Sequence, residues 1–186
     1  VCSKCYGLVG FYNMPSVKVA QDKRLDLMLT DSLWEDGMVV QIRLLRMQYF
    51  RWFDDGDLQS LYNLERIIRV CERTPMVNHW MPTKEYGIVN MFLMEGGQIP
   101  ENLSLRPSGY KFNGEPPVFK GRFELMADLP TSTATYLDEN EQPEVVHGHL
   151  CPAHWQNGEC GECRACWNWK EVPNVTYVNQ RQKISK

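Results

Sequence analysis

The sequence predicts an α/β fold with a parallel βαβαβ core, arranged either as a partial barrel or as an open sheet. Between residues 49 and 106, short apolar or aromatic segments alternate with segments of helical periodicity, and polar connections separate them. This alternation is typical of parallel strands joined by crossover helices. The C-terminal region, residues 146–186, contains a cysteine cluster and predicts a metal-binding segment attached to the core.

The first predicted elements lead into the core. Residues 15–34 begin with Pro15 and carry apolar side chains at helical spacing, which predicts a helix. Residues 38–45 are apolar and partly β-branched, so both a helix and a strand fit them. Residues 49–53 are rich in aromatics and predict the first core strand, which ends in the polar turn 54–57.

The rest of the core follows from the same patterns. Apolar residues at helical spacing predict a helix over 58–73, and residues 76–81 predict the second strand. Thr83 is the expected N-cap of the next helix, which Gly96-Gly97 would end. Residues 102–106 predict the third strand.

The C-terminal half is less regular in sequence. Residues 107–145 are rich in Pro, Gly, Thr and Glu and predict an irregular excursion or a small antiparallel piece. Residues 174–178 predict one more strand within the cysteine-rich region. We expect residues 1–186 to form a single domain, because this length can bury its own core.

Composition narrows the class of protein. The chain has 186 residues, a formal net charge of −3 and 43% hydrophobic residues. It lacks the ~20 consecutive apolar residues of a membrane span and the pattern of a secretory leader, so we expect no membrane partner and a cytoplasmic location. The acidic balance argues against binding held mainly by nucleic-acid phosphates, although nucleic acid stays open as a partner. The chain opens at Val1-Cys2 without a methionine, and we expect further residues upstream.

Four C-terminal cysteines carry the strongest functional signal. Cys160, Cys163 and Cys166 stand at consecutive Cys-x-x-Cys spacing, and Cys151 lies nine residues upstream, next to Pro152. Tandem spacing with a remote, proline-linked fourth cysteine resembles ferredoxin-type ligation and favours an iron–sulfur cluster, most simply of the 4Fe–4S type. Zinc is the alternative, since four thiolates also suit a structural zinc site.

The remaining cysteines and histidines have other expected roles. Cys2 and Cys5 form another Cys-x-x-Cys pair and are candidate metal ligands in the same or a second site. Cys71 lies on the apolar stripe of a predicted helix and is expected in the core. His147, His149 and His154 could ligate, but they are better interpreted as local hydrogen-bonding residues.

The predicted strand ends supply a second set of candidates. In parallel α/β folds chemistry collects at the carboxyl ends of the strands, and here those ends offer Asp54, Asp57, Glu85 and Arg106 as candidate catalytic residues. Such a mixed acid–base set could bind a cation or a polar substrate. The alternative is that Asp57 caps a helix and the other acids solvate a turn.

The motifs together resemble a phage-borne family often called gene product 88-like. The resemblance spans nearly the whole chain, in order, through Cys2-Ser-Lys-Cys5-Tyr-Gly7, Phe50-Arg-Trp-Phe-Asp-Asp-Gly-Asp-Leu-Gln-Ser60, Trp80-Met-Pro-Thr-Lys-Glu85, Asn102-Leu-Ser-Leu-Arg106, Cys151-Pro152 and Cys160-Gly-Glu-Cys-Arg-Ala-Cys166-Trp167. It implies an α/β core and a set of cysteines that hold a metal cluster.

Two functional hypotheses follow. The first is a phage-encoded iron–sulfur protein in which the cluster serves redox or cluster-assisted chemistry at the strand ends, on a small-molecule substrate. The second is a zinc-stapled binding protein that acts on a host protein or nucleic acid without catalysis. The sequence names neither the reaction nor the partner.

Overall fold

The computed structural model of the protein describes residues 10–179. Within this range no helix has the length and apolar character needed to cross a membrane. Two short 3-10 helices in the C-terminal half are Gly121–Met126 and Pro152–Trp155. The main elements, in chain order, are α1 (Pro15–Thr30), α2 (Trp34–Leu44), β1 (Tyr49–Arg51), α3 (Leu61–Arg73), β2 (Asn78–Thr83), α4 (Tyr86–Met94), β3 (Leu103–Phe112), β4 (Thr131–Thr135), β5 (His149–Leu150) and β6 (Asn174–Val178).

The six strands form one sheet in the order β1-β2-β3-β4-β6-β5, and every neighbouring pair is parallel. The sheet curls into a half-barrel. Helices α3 and α4 are the crossovers from β1 to β2 and from β2 to β3. The predicted parallel βαβαβ core is therefore confirmed, and of its two forms the partial barrel is the observed one.

The structure settles two helix boundaries that the sequence pattern left open. Residues 38–45 fall mostly in α2, which resolves the choice between helix and strand. Ser60 is the N-cap of α3, and its hydroxyl accepts a hydrogen bond from the Asn63 N–H at 3.2 Å. The alternative in which Asp57 caps this helix is wrong.

The start of α4 also differs from expectation. Thr83 is the last residue of β2 rather than an N-cap, and Glu85 occupies the N-cap position. The Thr83 hydroxyl accepts from the Glu85 N–H at 3.0 Å, so it still organises the turn into the helix. Gly96 follows the end of α4 with a φ of 85°, a left-handed conformation that glycine adopts without a steric penalty, as the sequence predicted.

The largest correction concerns residues 107–145, which are not simply irregular. β3 continues to Phe112, so Arg106 lies in the middle of a strand and not at its end. β4 (Thr131–Thr135) is a buried parallel strand without an apolar pattern, which is why periodicity missed it. Its side chains bond to those of β6 instead: Thr133 Oγ1 lies 2.9 Å from Thr176 Oγ1, and Thr131 Oγ1 donates to Asn174 Oδ1 at 2.8 Å.

The two faces of the sheet have different neighbours. On the helix face, side chains such as Met81, Leu103 and Leu105 pack in one core cluster with Leu64 and Ile67 of α3. The opposite face, called the cysteine face below, carries Trp80, Ser104, Arg106, Val175 and Tyr177. Residues 151–172, called the cysteine segment below, contact this face through Ala165, Cys166 and neighbouring side chains.

The cysteine segment also bridges the two edge strands. Cys151 follows β5 directly, and its N–H donates to Thr176 O on β6 at 2.9 Å, which prolongs that ladder. At the other edge, the Trp167 indole N–H donates to Phe50 O on β1 at 3.0 Å. The segment therefore lies across the curl and ties its ends together.

Candidate metal centre

All five cysteines in the described part of the chain are free thiols. The cysteine segment presents four of them in a series of turns, in which the Cys163 N–H donates to Cys160 O at 3.0 Å. Cys166 is 5% exposed, whereas Cys151, Cys160 and Cys163 are half-buried. One thiol is thus sealed against the sheet, and three remain within reach of solvent.

The four thiols influence one another electrostatically. Burial raises the pKa of Cys151, the nearby Cys160 and Cys163 raise it further, and the Arg51 guanidinium lowers it. Burial also raises the pKa of Cys166, to about 12, and Cys151 and Cys160 add to the rise. Thiolates crowded in this way oppose ionisation unless a cation holds them, because like charges destabilise one another in a partly buried site.

The four thiols do not form a complete binding site for a single metal ion. Between residues 10 and 179, no three or more His, Cys, Asp or Glu side chains are grouped as a single metal ion would require. The binding of a metal by Cys151, Cys160, Cys163 and Cys166 therefore stays a prediction. What the structure adds is the surroundings of each thiol.

The buried thiol, Cys166, lies against polar atoms of the sheet. The Tyr177 hydroxyl on β6 is 3.1 Å from Cys166 Sγ. Trp80 stacks on the Tyr177 ring with centroids 6.0 Å apart, and it belongs to the same packed cluster as Cys166. The Trp80 indole nitrogen is buried and finds no hydrogen-bond partner among the described residues.

A second thiol has a histidine neighbour. His149 Nε2, on the short strand β5, lies 3.3 Å from Cys163 Sγ. The other two histidines of the sequence cluster have different surroundings. His147 faces Glu115, with 3.6 Å between Nδ1 and the carboxylate, and His154 packs edge-on against Trp155.

Arg106 holds the cysteine segment on the sheet. Its side chain is fully buried, and it donates to main-chain carbonyls of Thr131, Ala165, Cys166 and Val172 at 2.8–3.1 Å. No carboxylate pairs with it in the part of the chain that the structure describes. Burial lowers the pKa of Arg106, while the Tyr177 and Cys166 groups raise it.

Aromatic rings fill the space between the thiols and β1. Trp167 packs edge-on against both Tyr49 and Trp80, with centroids 5.4 Å apart in each pair. The Arg51 guanidinium lies 4.8 Å from the centre of the Trp80 ring, and its charge lowers the pKa of Cys151. The thiol environment is therefore aromatic and cationic.

The predicted strand-end acids have separate surroundings. Asp57 joins two strand ends, because its carboxylate accepts from the Thr83 hydroxyl at 2.6 Å and from the Lys84 N–H at 2.7 Å. Asp54 is exposed, pairs with Arg51 at 3.8 Å and accepts from the Tyr12 hydroxyl. Glu85 is exposed at the start of α4. Arg106 does not join this group, since its hydrogen bonds go to the cysteine segment and to β4.

Two further cysteine predictions have different outcomes. Cys71 is fully buried in the helix-face core, as its position on the apolar stripe predicted, and burial raises its pKa to about 12. Cys2 and Cys5 lie outside the described residues, so their role as ligands stays a prediction.

Sequence reasoning missed the residues that surround the thiols. Trp80 and Tyr177 lie in strands that were recognised, but the sequence did not show that both face the cysteine segment. Trp167 meets Tyr49 and Phe50 of β1, although these residues lie more than a hundred positions earlier in the chain. The one available signal was Arg106, a charged residue directly after the predicted strand residues Leu103–Leu105, where a buried charge needs nearby acceptors.

Comparison with known proteins agrees with the motif order. A family model described as Gene product 88 matches residues 1–169, which is most of the chain and includes all seven cysteines. Neither the curated proteins nor the solved structures contain a match to this chain. The resemblance seen in the sequence is confirmed: the chain belongs to the gene product 88 family.

Proposed function

We propose that this chain is a phage iron–sulfur protein in which Cys151, Cys160, Cys163 and Cys166 hold a 4Fe–4S cluster on the cysteine face. When bound, such a cluster supplies one-electron redox chemistry. The chain itself would seal one corner of the cluster behind Cys166 and leave the half-buried thiols facing solvent. Redox exchange with a small molecule or a partner protein would then occur at the exposed side.

The buried charge of Arg106 is the observation that carries the proposal. A fully buried guanidinium without a carboxylate partner is costly, and its carbonyl acceptors compensate only part of the charge. Four thiolate ligands make a bound metal centre anionic overall, and Cys166 belongs to the residue pair whose carbonyls Arg106 binds. The anion that this arginine lacks is thus the one that the proposed centre would provide.

Orphaned donors on the same face support the fit. The Trp80 indole nitrogen and the Ser104 hydroxyl are buried and have no hydrogen-bond partner among residues 10–179. Buried donors of this kind cost free energy when unpaired, roughly 1–3 kcal/mol each. Sulfur atoms of a ligated cluster accept hydrogen bonds, so a bound cluster could satisfy donors that the chain leaves unpaired.

Anaerobic purification followed by metal and sulfide analysis tests the proposal. We expect a coloured protein with about four iron and four acid-labile sulfide per chain. Serine replacement of Cys151, Cys160, Cys163 or Cys166 should lower the iron content. Cys71→Ala is the matched control, because Cys71 is a buried thiol in the other core and should leave the iron content unchanged.

A zinc site is the second candidate, and one contact favours it. Zinc bonds to cysteine sulfur at about 2.3 Å and to histidine nitrogen at about 2.1 Å, so a tetrahedral ion would hold two such ligands about 3.5 Å apart. The observed 3.3 Å between Cys163 Sγ and His149 Nε2 is close to that spacing. A colourless protein with one zinc and no sulfide per chain would establish this candidate and reject the cluster.

A further inference from the structure

The geometry assigns a specific task to Tyr177: it is a positioning residue whose hydroxyl donates to the Cys166 sulfur and thereby raises the reduction potential of the centre. This inference rests on the proposed function, because it needs a redox-active group at the four cysteines. The basis is the 3.1 Å contact between Tyr177 Oη and Cys166 Sγ.

The direction of this hydrogen bond follows from ligation. A free thiol and a phenol can each act as donor, but a cysteine that ligates a metal has lost its proton and can only accept. Tyr177 is then the donor. A hydrogen bond to a ligand sulfur stabilises the more negative, reduced state more than the oxidised state, and hydrogen bonds to sulfur are one of the means by which proteins tune such potentials.

Both partners of this bond are held in place. Tyr177 lies in β6, where its backbone pairs with Ala134 of β4, and Trp80 stacks on its ring with planes 26° apart. On the other side, Arg106 binds the carbonyls of Ala165 and Cys166 at 3.1 and 3.0 Å. Strand, ring and guanidinium hold the two residues independently, so the hydroxyl and the sulfur are already within hydrogen-bonding distance.

The contact also makes the four ligands unequal. Cys166 is the most buried thiol and receives the phenol, whereas Cys163, half-buried, has a histidine ring nitrogen at 3.3 Å. Water access and hydrogen bonding both affect the potential of a centre. The phenol bonds to the most buried of the four thiols, where solvent competes least, so its removal should change the potential measurably.

The test is a redox titration of the anaerobically purified protein with dithionite, followed by absorbance and by EPR of the reduced state. One electron passes from dithionite to the cluster in this titration. With Tyr177→Phe, we expect an unchanged iron and sulfide content and a more negative midpoint potential. At the solution potential where half of the wild-type centre is reduced, the ratio of reduced to oxidised centre should fall about tenfold.

Tyr86→Phe is the matched control, since Tyr86 is also a half-buried phenol that donates a hydrogen bond, but to the main-chain carbonyl of Ser108. It should leave the potential unchanged. If Tyr177→Phe fails to fold, site-specific 3-fluorotyrosine at position 177 keeps the hydroxyl and makes it a stronger donor, which should move the midpoint to a more positive value.

The two proposals fail in different ways. A protein that holds iron and sulfide but keeps its midpoint potential in Tyr177→Phe, or shifts equally in Tyr86→Phe, overturns the role of Tyr177 and leaves the cluster standing. A wild-type protein without iron and sulfide overturns the proposed function and this inference together.

Discussion

Among the residues that the structure describes, two arginines are almost completely buried, and the two faces of the sheet accommodate them differently. Arg66 of α3, among the helices, bonds to the Glu35 carboxylate at 3.0 Å and to the carbonyls of Met28 and Asp31. Arg106, on the cysteine face, has carbonyl partners alone among the described residues. On the helix face, the positive charge of Arg66 is therefore neutralised by a carboxylate of the same chain.

This difference separates the two faces by how each one balances a buried charge. The helix face combines a closely packed aliphatic and aromatic core with a neutralised ion pair, and its buried atoms that are unpaired within residues 10–179, such as His79 Nδ1 and the Trp52 indole nitrogen, carry no formal charge. The cysteine face collects a buried cation, four thiols and two donors that are unpaired among the described residues, and ionised thiols around the proposed metal would balance this charge. We therefore expect the stability of one region to be independent of metal and that of the other to depend on it.

The largest effect should come from Arg106→Met, which removes four hydrogen bonds from the contact between the sheet and the cysteine segment. We expect a loss of about 4 kcal/mol in the free energy of unfolding, together with a loss of bound metal. Urea denaturation and metal analysis measure both. Arg73→Met, at an exposed ion pair with Asp36, should cost less than about 1 kcal/mol.

Acid should weaken the helix face through His79. This histidine is fully buried, its Nε2 lies 2.8 Å from the Thr74 hydroxyl, and its Nδ1 has no partner in the described part of the chain. The Thr74 hydroxyl donates to Val70 O, so it accepts from Nε2–H and leaves Nδ1 as the site for a second proton. Burial lowers the pKa of His79 to about 4.

The lowered pKa of His79 determines how the stability of the protein changes with pH. Because the folded pKa lies below the ordinary value of 6.5, the unfolded chain binds the proton more readily. The stability contribution is fully present above pH 6.5 and is lost as the pH falls towards about 4, by roughly 3 kcal/mol in total. Urea denaturation across this range, on metal-free protein, should show the slope, and His79→Gln should flatten it. An equal slope in His79→Gln would assign the acid sensitivity to other groups.

Arg66→Met tests whether the stability of the helix face is independent of metal. Its removal deprives Glu35 of one of two cationic partners, since Arg69 also binds that carboxylate at 2.9 Å. We expect a loss of about 2–3 kcal/mol. Calorimetry should give the same loss in metal-loaded and metal-free protein. A loss that appears only in loaded protein would contradict the independence of the two faces.

The smallest of these effects is expected from Asp57→Asn. Its carboxylate accepts two strong hydrogen bonds that join the ends of β1 and β2, and an amide can replace only one acceptor oxygen. We expect a loss of about 1–2 kcal/mol and an unchanged metal content. Asp54→Asn, at an exposed position, should change stability very little. A loss of metal in Asp57→Asn would return this residue to the candidate site.

The sequence predicted the helix side and its strands better than the rest because periodicity reports apolar burial. The spacing along α3 and the apolar strands of the core follow directly from it. The strand Thr131–Thr135 stayed hidden, since buried threonines satisfied by a neighbouring strand leave no apolar pattern.

The sequence predicts which cysteines form the candidate site, but it does not predict which residues surround them. Cysteine spacing is local in sequence, so Cys160, Cys163 and Cys166 stand out without a structure. The neighbours of these thiols come from strands far apart in the chain, and only the curl of the sheet decides which residues meet. Arg106 was assigned to a strand end because its strand was predicted to stop there, and the continuation to Phe112 places it inside the sheet.

The hydrogen bonds of Arg106 also depend on the order in which the chain is synthesised. Its four acceptors lie 25, 59, 60 and 66 residues further along the sequence, so a chain emerging from the ribosome exposes this cation long before its partners exist. The central strand reaches its final environment only after residue 172 has been synthesised. A protein cut back to its helix-bearing half would leave Arg106 without these acceptors, so the environment of β3 is completed only by the C-terminal part of the chain.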